Sequence, residues 1–157
     1  MLAIIETQEE IKRRKKGMGS KNHSGLQYRI IAQIVLKYNG VYEAIPELSL
    51  DIEGKEKVPD LSFYKEFNIN PENDVIKMKE MPLGVVEILS PTQSLMELVT
   101  KANVYFDAGI SSYWLVAPEV QSIYVYSGKG EREVFTHKDT LVDKKLDIEL
   151  DLAKVFR

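Results

Sequence analysis

A chain of 157 residues with 44% hydrophobic and 29% charged side chains can bury a core of its own and has the balance of an ordinary globular protein. It has no cysteine and only two histidines, His23 and His137, which excludes disulfides, thiolate metal sites and a cysteine nucleophile and argues against a histidine-rich zinc site. The net charge of −3 argues against a grip on nucleic acid over a broad surface, while leaving room for a local basic patch.

The opening MLAIIETQEEIKRRKK lacks the basic-then-apolar order of a secretory signal. No apolar run approaches the roughly 20 residues that cross a bilayer. A cytoplasmic protein with no membrane contact is therefore expected. Residues 12–16, Lys-Arg-Arg-Lys-Lys, are the one dense basic run. They read either as part of a flexible or helical arm spanning residues 1–20, or as a contact to a phosphate backbone. Leu26, Ile30, Ile34 and Tyr38 then recur every four residues and predict an amphipathic helix over 26–38, with Ser24 as a candidate cap and Asn39-Gly40 as the stop. Strands are expected over 41–45, 48–52 and 58–64, with a turn at 53–55. Residues 65–81, rich in asparagine, show no period and read as a loop. Residues 83–89 form an apolar run broken only by Gly84 and Glu87, the pattern of a central strand covered on both faces. A second helix follows over 94–108, with Leu95, Leu98, Ala102 and Tyr105 as its stripe and Gly109 as its end. A strand over 112–116 stops at Pro118. A hairpin joins 123–126 to 132–136, and residues 147–156 suggest a short strand and a final turn. No linker or repeat divides residues 1–157, so one domain of α/β (α+β) class is expected, a mixed sheet flanked by helices. The crossover over 83–117 places one parallel pair in an otherwise antiparallel sheet.

Two acids stand out. Glu87 lies in the middle of Val-Val-Glu-Ile-Leu, where an unpaired carboxylate is costly to bury. Asp60 follows Pro59 at a strand start; it reads as a turn carboxylate capping backbone amides or as the partner of Glu87. Adjacent strands lie about 4.8 Å apart, so two such acids can share one oxygen-loving cation such as Mg²⁺. Lys101 lies on the following helix. It is either a surface partner of Glu97, four residues earlier, or a group that orients an attacking water and offsets charge at phosphorus. Ser90-Pro91-Thr92 suits a cap for that helix, and a nucleophilic Ser90 lacks a histidine base. Tyr113, Trp114, Tyr124 and Tyr126 read as core or interface packing before base stacking. The glycines around Lys129 belong to a hairpin turn, since no helix follows them.

Pro59-Asp60-Leu-Ser-Phe, then Pro82-Leu-Gly-Val-Val-Glu87-Ile-Leu-Ser90-Pro91-Thr92, then Lys101, then Gly109-Ile-Ser-Ser-Tyr113-Trp114-Leu-Val-Ala-Pro118 resembles the Uma2 (Uma-two) family of restriction endonucleases, within the PD-(D/E)xK nuclease superfamily. The resemblance runs from about His23 to Tyr126. It implies a restriction-endonuclease-like sheet, a Mg²⁺ or Mn²⁺ ion, DNA as partner, and Asp60, Glu87 and the backbone carbonyl of Ile88 as ligands. The superfamily's lysine usually sits two residues after the second acid. Here that position is Leu89, and the resemblance places the lysine at Lys101. Four residues before it the family often has aspartate, and this chain has Glu97. The first helix lacks the acid some superfamily members use there, leaving Glu43 or Glu47 as substitutes. His23 matches a histidine found at that helix start. The resemblance thus implies a metal-dependent endonuclease with His23, Glu47, Ser90 and Glu97 as auxiliary candidates. A non-catalytic module of the same fold, binding nucleic acid or protein as a homodimer, is the competing expectation, and a hydrolase for a small phosphorylated substrate is a third.

Overall fold

In the computed structural model, which describes residues 7, 8 and 19–157, the first helix, α1 (Lys21–Tyr38), starts earlier than its apolar period. The basic run at 12–16 lies outside the described residues. Ser20, not Ser24, caps α1: its hydroxyl accepts from the His23 N–H at 3.3 Å. The extra turn has no aliphatic side chain to show in a hydrophobic period. Leu26, Ile30 and Ile34 are buried as the spacing requires, and Gly40 leaves the helix in the left-handed region (φ +82°), where glycine is the least strained residue.

The main sheet has six strands. In chain order they are β1 (Glu43–Pro46), β4 (Leu61–Tyr64), β5 (Gly84–Ile88), β6 (Ser112–Ala117), β7 (Ser122–Gly128) and β8 (Glu131–Thr136), and they are neighbours in that order. Only β5 and β6 run parallel, with Glu87 opposite Leu115. Helix α2 (Leu95–Asp107) makes the crossover between them. Two small hairpins stand apart from the sheet: β2 (Leu50–Ile52) with β3 (Lys55–Lys57), and β9 (Thr140–Asp143) with β10 (Ile148–Asp151). A last short helix, α3, covers Leu152–Val155.

The sheet separates two cores. On one face Val86, Ile88, Phe63 and Trp114 pack with α1, the β9–β10 hairpin and α3. On the other, Val85, Tyr113 and Leu115 pack with α2 and the β2–β3 hairpin. Strand β5 is buried at every position, as an apolar run in a parallel pair should be.

Several expectations change in detail. Leu95 is 45% exposed and does not belong to the α2 stripe, because it is the helix's first residue and lies beyond the sheet. Ser94 caps α2 through the Glu97 N–H at 3.2 Å, so Ser90-Pro91-Thr92 does not. Strand β9 has no counterpart in the sequence reading; with β10 it forms a hairpin fixed by buried Asp143. That carboxylate accepts from Ser112 Oγ, from Trp114 Nε1 at 2.7 Å and from the Leu146 N–H at 3.0 Å. Gly84 permits this closure, since a Cβ there would lie 2.8 Å from Leu146 Cδ1. Among the described residues, no helix is long and apolar enough to cross a membrane.

Candidate active site

Strand polarity brings the two acids together. β4 runs antiparallel to β5 with Leu61 opposite Val86, so Asp60, one residue before β4, falls beside the C-terminal end of β5. Asp60 is thus on the approach to a strand and not within it. Its carboxylate reaches along the sheet edge: Oδ2 accepts the Ile88 N–H at 2.6 Å, and Oδ1 lies 3.0 Å from His23 Nε2. The Asp60 carbonyl accepts from Gln27 Nε2 at 2.8 Å and from the Glu47 N–H at 3.2 Å. His23 and Gln27 are one helical turn apart on α1, so a single helix flank fixes both the backbone and the side chain of Asp60.

Glu87 is held from the other layer. It is 3% exposed; Tyr105 donates its hydroxyl to Oε1 at 2.9 Å, and Lys101 Nζ stands 3.4 Å from Oε2. Lys101 and Tyr105 are again one turn apart, now on α2. The partner of Lys101 is therefore Glu87, across 14 residues, and not Glu97, which sits exposed in the first turn of α2. Lys101 keeps 35% of its side chain exposed, enough to reach solvent from the same position.

The electrostatics are those of an under-compensated acid pair. Burial, then the Asp60 carboxylate, push Glu87 from its ordinary 4.5 up to about 7, against the opposing pull of Lys101 and Tyr105. The Tyr105 hydroxyl is pushed far up, first by burial and then by Glu87. His23 is raised because its bond to Asp60 outweighs its own burial, with Glu47 and Glu87 adding to the effect. His23 Nδ1 is buried without a hydrogen-bond partner.

The remaining candidates separate clearly. Glu47, exposed in a left-handed turn at φ 50°, lies beside Asp60 through its backbone and acts on His23 through space. Glu43 pairs with Tyr64 at the opposite end of β4, which removes it from the site. Ser90 is engaged locally, its N–H on Gln93 Oε1 at 3.1 Å and its hydroxyl 3.4 Å from Thr92 Oγ1. Of the aromatic set, Tyr113, Trp114 and Tyr126 are buried in the two cores. Tyr105 and Gln27 were missed by sequence reading. Their four-residue spacing from Lys101 and His23 is the available signal, but Tyr105 fits the apolar stripe of α2 equally well.

The donor set suits a hard cation. Two carboxylates meet at one edge, one of them buried and short of positive charge. The Ile88 N–H faces Asp60, and in an extended strand the carbonyl of the same residue leaves on the same edge. Mg²⁺ commonly takes one or two carboxylates, retaining waters and a phosphate for its other positions. Among the described residues no group of three or more acidic, histidine or cysteine side chains gathers as a full protein cage. A substrate-completed site is the kind these residues fit.

A family model described as "Putative restriction endonuclease", Uma2, matches residues 6–153. The chain belongs to the Uma2 family. Its function is accordingly nuclease-like, and the family suggests nucleic-acid binding. A crystal structure of "a putative nuclease" from Anabaena variabilis shares the Uma2 chain's fold with a TM-score of 0.74 and 24% identity, over 88% of this chain and 82% of that one. No curated protein matches the chain. The mixed six-stranded sheet between helices is thus a nuclease-like fold. In this Uma2 chain the position two residues after the second acid is Leu89, and the cation beside that acid comes from α2 as Lys101.

Proposed function

We propose that this Uma2 protein is a Mg²⁺- or Mn²⁺-dependent endonuclease that hydrolyses DNA phosphodiester bonds at the edge formed by Asp60, Glu87 and Lys101. The observation that supports it most is Glu87: a carboxylate 3% exposed, raised to about 7, beside a second carboxylate, with one cation in reach. Asp60, Glu87 and the Ile88 carbonyl would hold the ion. When bound, it polarises the scissile phosphate and lowers the pKa of a water.

The chain's own residues do the rest. The Ile88 N–H and His23 fix both oxygens of Asp60. Tyr105 fixes one oxygen of Glu87 and leaves Oε2 to the partly exposed Lys101. Lys101, partly exposed, can turn from Glu87 toward an arriving phosphate. There it orients the attacking water and offsets negative charge gathering on the phosphoryl oxygens. The test is cleavage of supercoiled, linear and single-stranded DNA with Mn²⁺ by the protein and by Glu87→Ala and Lys101→Ala. Loss in both variants supports the site; undiminished cleavage in both removes it.

Two observations favour a second reading, a non-catalytic nucleic-acid or protein-binding module. Lys101 already has a structural task as the only side-chain cation on Glu87 among the described residues. Tyr28 and Leu36, 68% and 77% exposed on the outer face of α1, suit self-association as a homodimer. Titration calorimetry with Mn²⁺ separates the readings: no binding at millimolar metal, or binding indifferent to Asp60→Asn, favours the module.

A further inference from the structure

On the flank of α1 turned away from Asp60, a recess of about 370 Å³ opens between the helix, the turn after β6 and the end of the chain. Its wall carries three cations, Lys21, Arg29 and Arg157, with the amides of Asn22 and Gln121. Phe156 and Pro118 give it an apolar floor. In a chain of net charge −3 this clustering runs against the overall balance. Arg29 is held in place by donating to the main-chain oxygens of Val155 and Arg157, which fixes the direction of its guanidinium.

The recess opens at the same end of the sheet as the acids. The Leu89 N–H bonds the Val116 carbonyl at 2.9 Å, and Pro118 follows two residues later. On α1, His23 and Gln27 face Asp60, whereas Asn22, Gly25 and Arg29 face the recess. One helix therefore separates the two places, a span of about 10–12 Å with side chains.

We infer that the recess is a second nucleic-acid contact, receiving a backbone phosphate on Lys21, Arg29 and Arg157 and the adjoining sugar against Phe156 and Pro118, on the same nucleic acid whose scissile phosphate lies at Asp60 and Glu87. This rests on the proposed action on DNA and adds a path: the nucleic acid crosses the start of α1. Contacts of this kind position without reading sequence, and each phosphate neutralised adds about 0.9 to the salt dependence of duplex binding.

The test is fluorescence anisotropy on labelled 20-base-pair duplexes of two unrelated sequences, in EDTA, from 25 to 200 mM salt, which needs no metal and no turnover. Lys21→Ala with Arg157→Ala leaves the Arg29 anchor intact. It is compared with Lys129→Ala plus Lys144→Ala, which removes the same charge elsewhere; those lysines pair with Asp107 and Glu133. The recess variant is expected to bind both duplexes roughly tenfold more weakly at low salt, with the slope of log K against log salt shallower by up to about one. The control pair should stay close to the unaltered protein. Equal losses in the two variants, or none in the recess variant, overturn the inference. If the unaltered protein cuts DNA yet the recess variant binds like the control, the recess alone fails. If the unaltered protein binds no duplex even at 25 mM salt, both this contact and the action on DNA fall.

Discussion

Replacing Glu87 by glutamine keeps the shape of the side chain and removes a charge that β5 is poorly placed to hold. A carboxyl held at about 7 in the fold and at 4.5 in the unfolded chain has its charged form disfavoured by about 3 kcal/mol, at ~1.36 kcal/mol per tenfold change in proton affinity. The sign follows from the raised value: the folded state binds the proton more tightly, so stability falls as pH rises from 4.5 through 7. At pH 8 nearly the whole penalty is present; at pH 5 protonation relieves all but about 1 kcal/mol of it. The amide oxygen of glutamine can accept from Tyr105 or Lys101 but not both, which lowers the gain to about 2 kcal/mol. In a chain of this length that corresponds to roughly 4–8 °C in Tm. Thermal unfolding in EDTA from pH 5 to 8.5 should therefore show Glu87→Gln above the unaltered protein at pH 8 and nearly level with it at pH 5. Saturating Mn²⁺ should raise the unaltered protein and leave the variant where it was. A gap that is the same at both pH values, or a variant less stable at pH 8, would refute the view that Glu87 is an under-compensated buried acid.

Three other outcomes follow from the same contacts. Lys101→Ala should lower Mn²⁺-dependent DNA cleavage by about 10²-fold or more while calorimetric Mn²⁺ affinity is kept or raised, since the lysine is a rival counter-charge for Glu87 and not a ligand of the ion. His23→Ala should weaken Mn²⁺ binding by about 10–100-fold, because Asp60 loses the partner that orients Oδ1, and His23→Gln should recover part of the loss. Asp143→Ala, far from the acids, should cost about 3–5 kcal/mol in urea denaturation by stranding Ser112, Trp114 and the Leu146 N–H in the core, with any remaining folded protein binding Mn²⁺ normally.

The parts of this structure that are legible in the sequence are those where one residue's neighbours along the chain fix its surroundings. Leu26, Ile30 and Ile34 announce α1 by period, and the unbroken apolar run around Glu87 announces a strand covered on both faces. Glu87 is conspicuous for the same reason, since a charge in such a run has few neutral explanations. Asp60 could be paired with it only through strand order, which a sequence suggests but does not state; the decisive contact, to the Ile88 N–H, spans 28 residues. The first turn of α1 was invisible because His23, its buried residue, is polar and faces Asp60 rather than the core. Strand β9 escaped because its two buried positions, Leu141 and Asp143, include a charged residue whose partners lie about thirty residues away on β6. Lys101 is the instructive case. Its local partner, Glu97, has the right spacing for a helix pair, yet such a pair in water gains only about 0.3–0.5 kcal/mol. The buried Glu87 offers a stronger field, and the lysine turns inward.

That choice bears on how the site is built. Asp60 takes its donors from α1 and the end of β5, and Glu87 takes its donors from α2; the two helices lie on opposite faces of the sheet. Neither layer alone assembles the pair, so the acids converge only when both cores have formed around β5. The same division leaves the two acids unequal. Asp60 is fixed at both oxygens by a backbone amide and a buried imidazole, whereas Glu87 has one oxygen fixed by Tyr105 and the other facing a lysine that can leave. Any event that draws Lys101 outward, such as an arriving phosphate, strips Glu87 of its counter-charge and strengthens its demand for a cation. Substrate and metal should therefore reinforce one another's binding, and a lysine on a separate helix, free to swing, gives that coupling in a way a lysine fixed at position 89 of the strand would not.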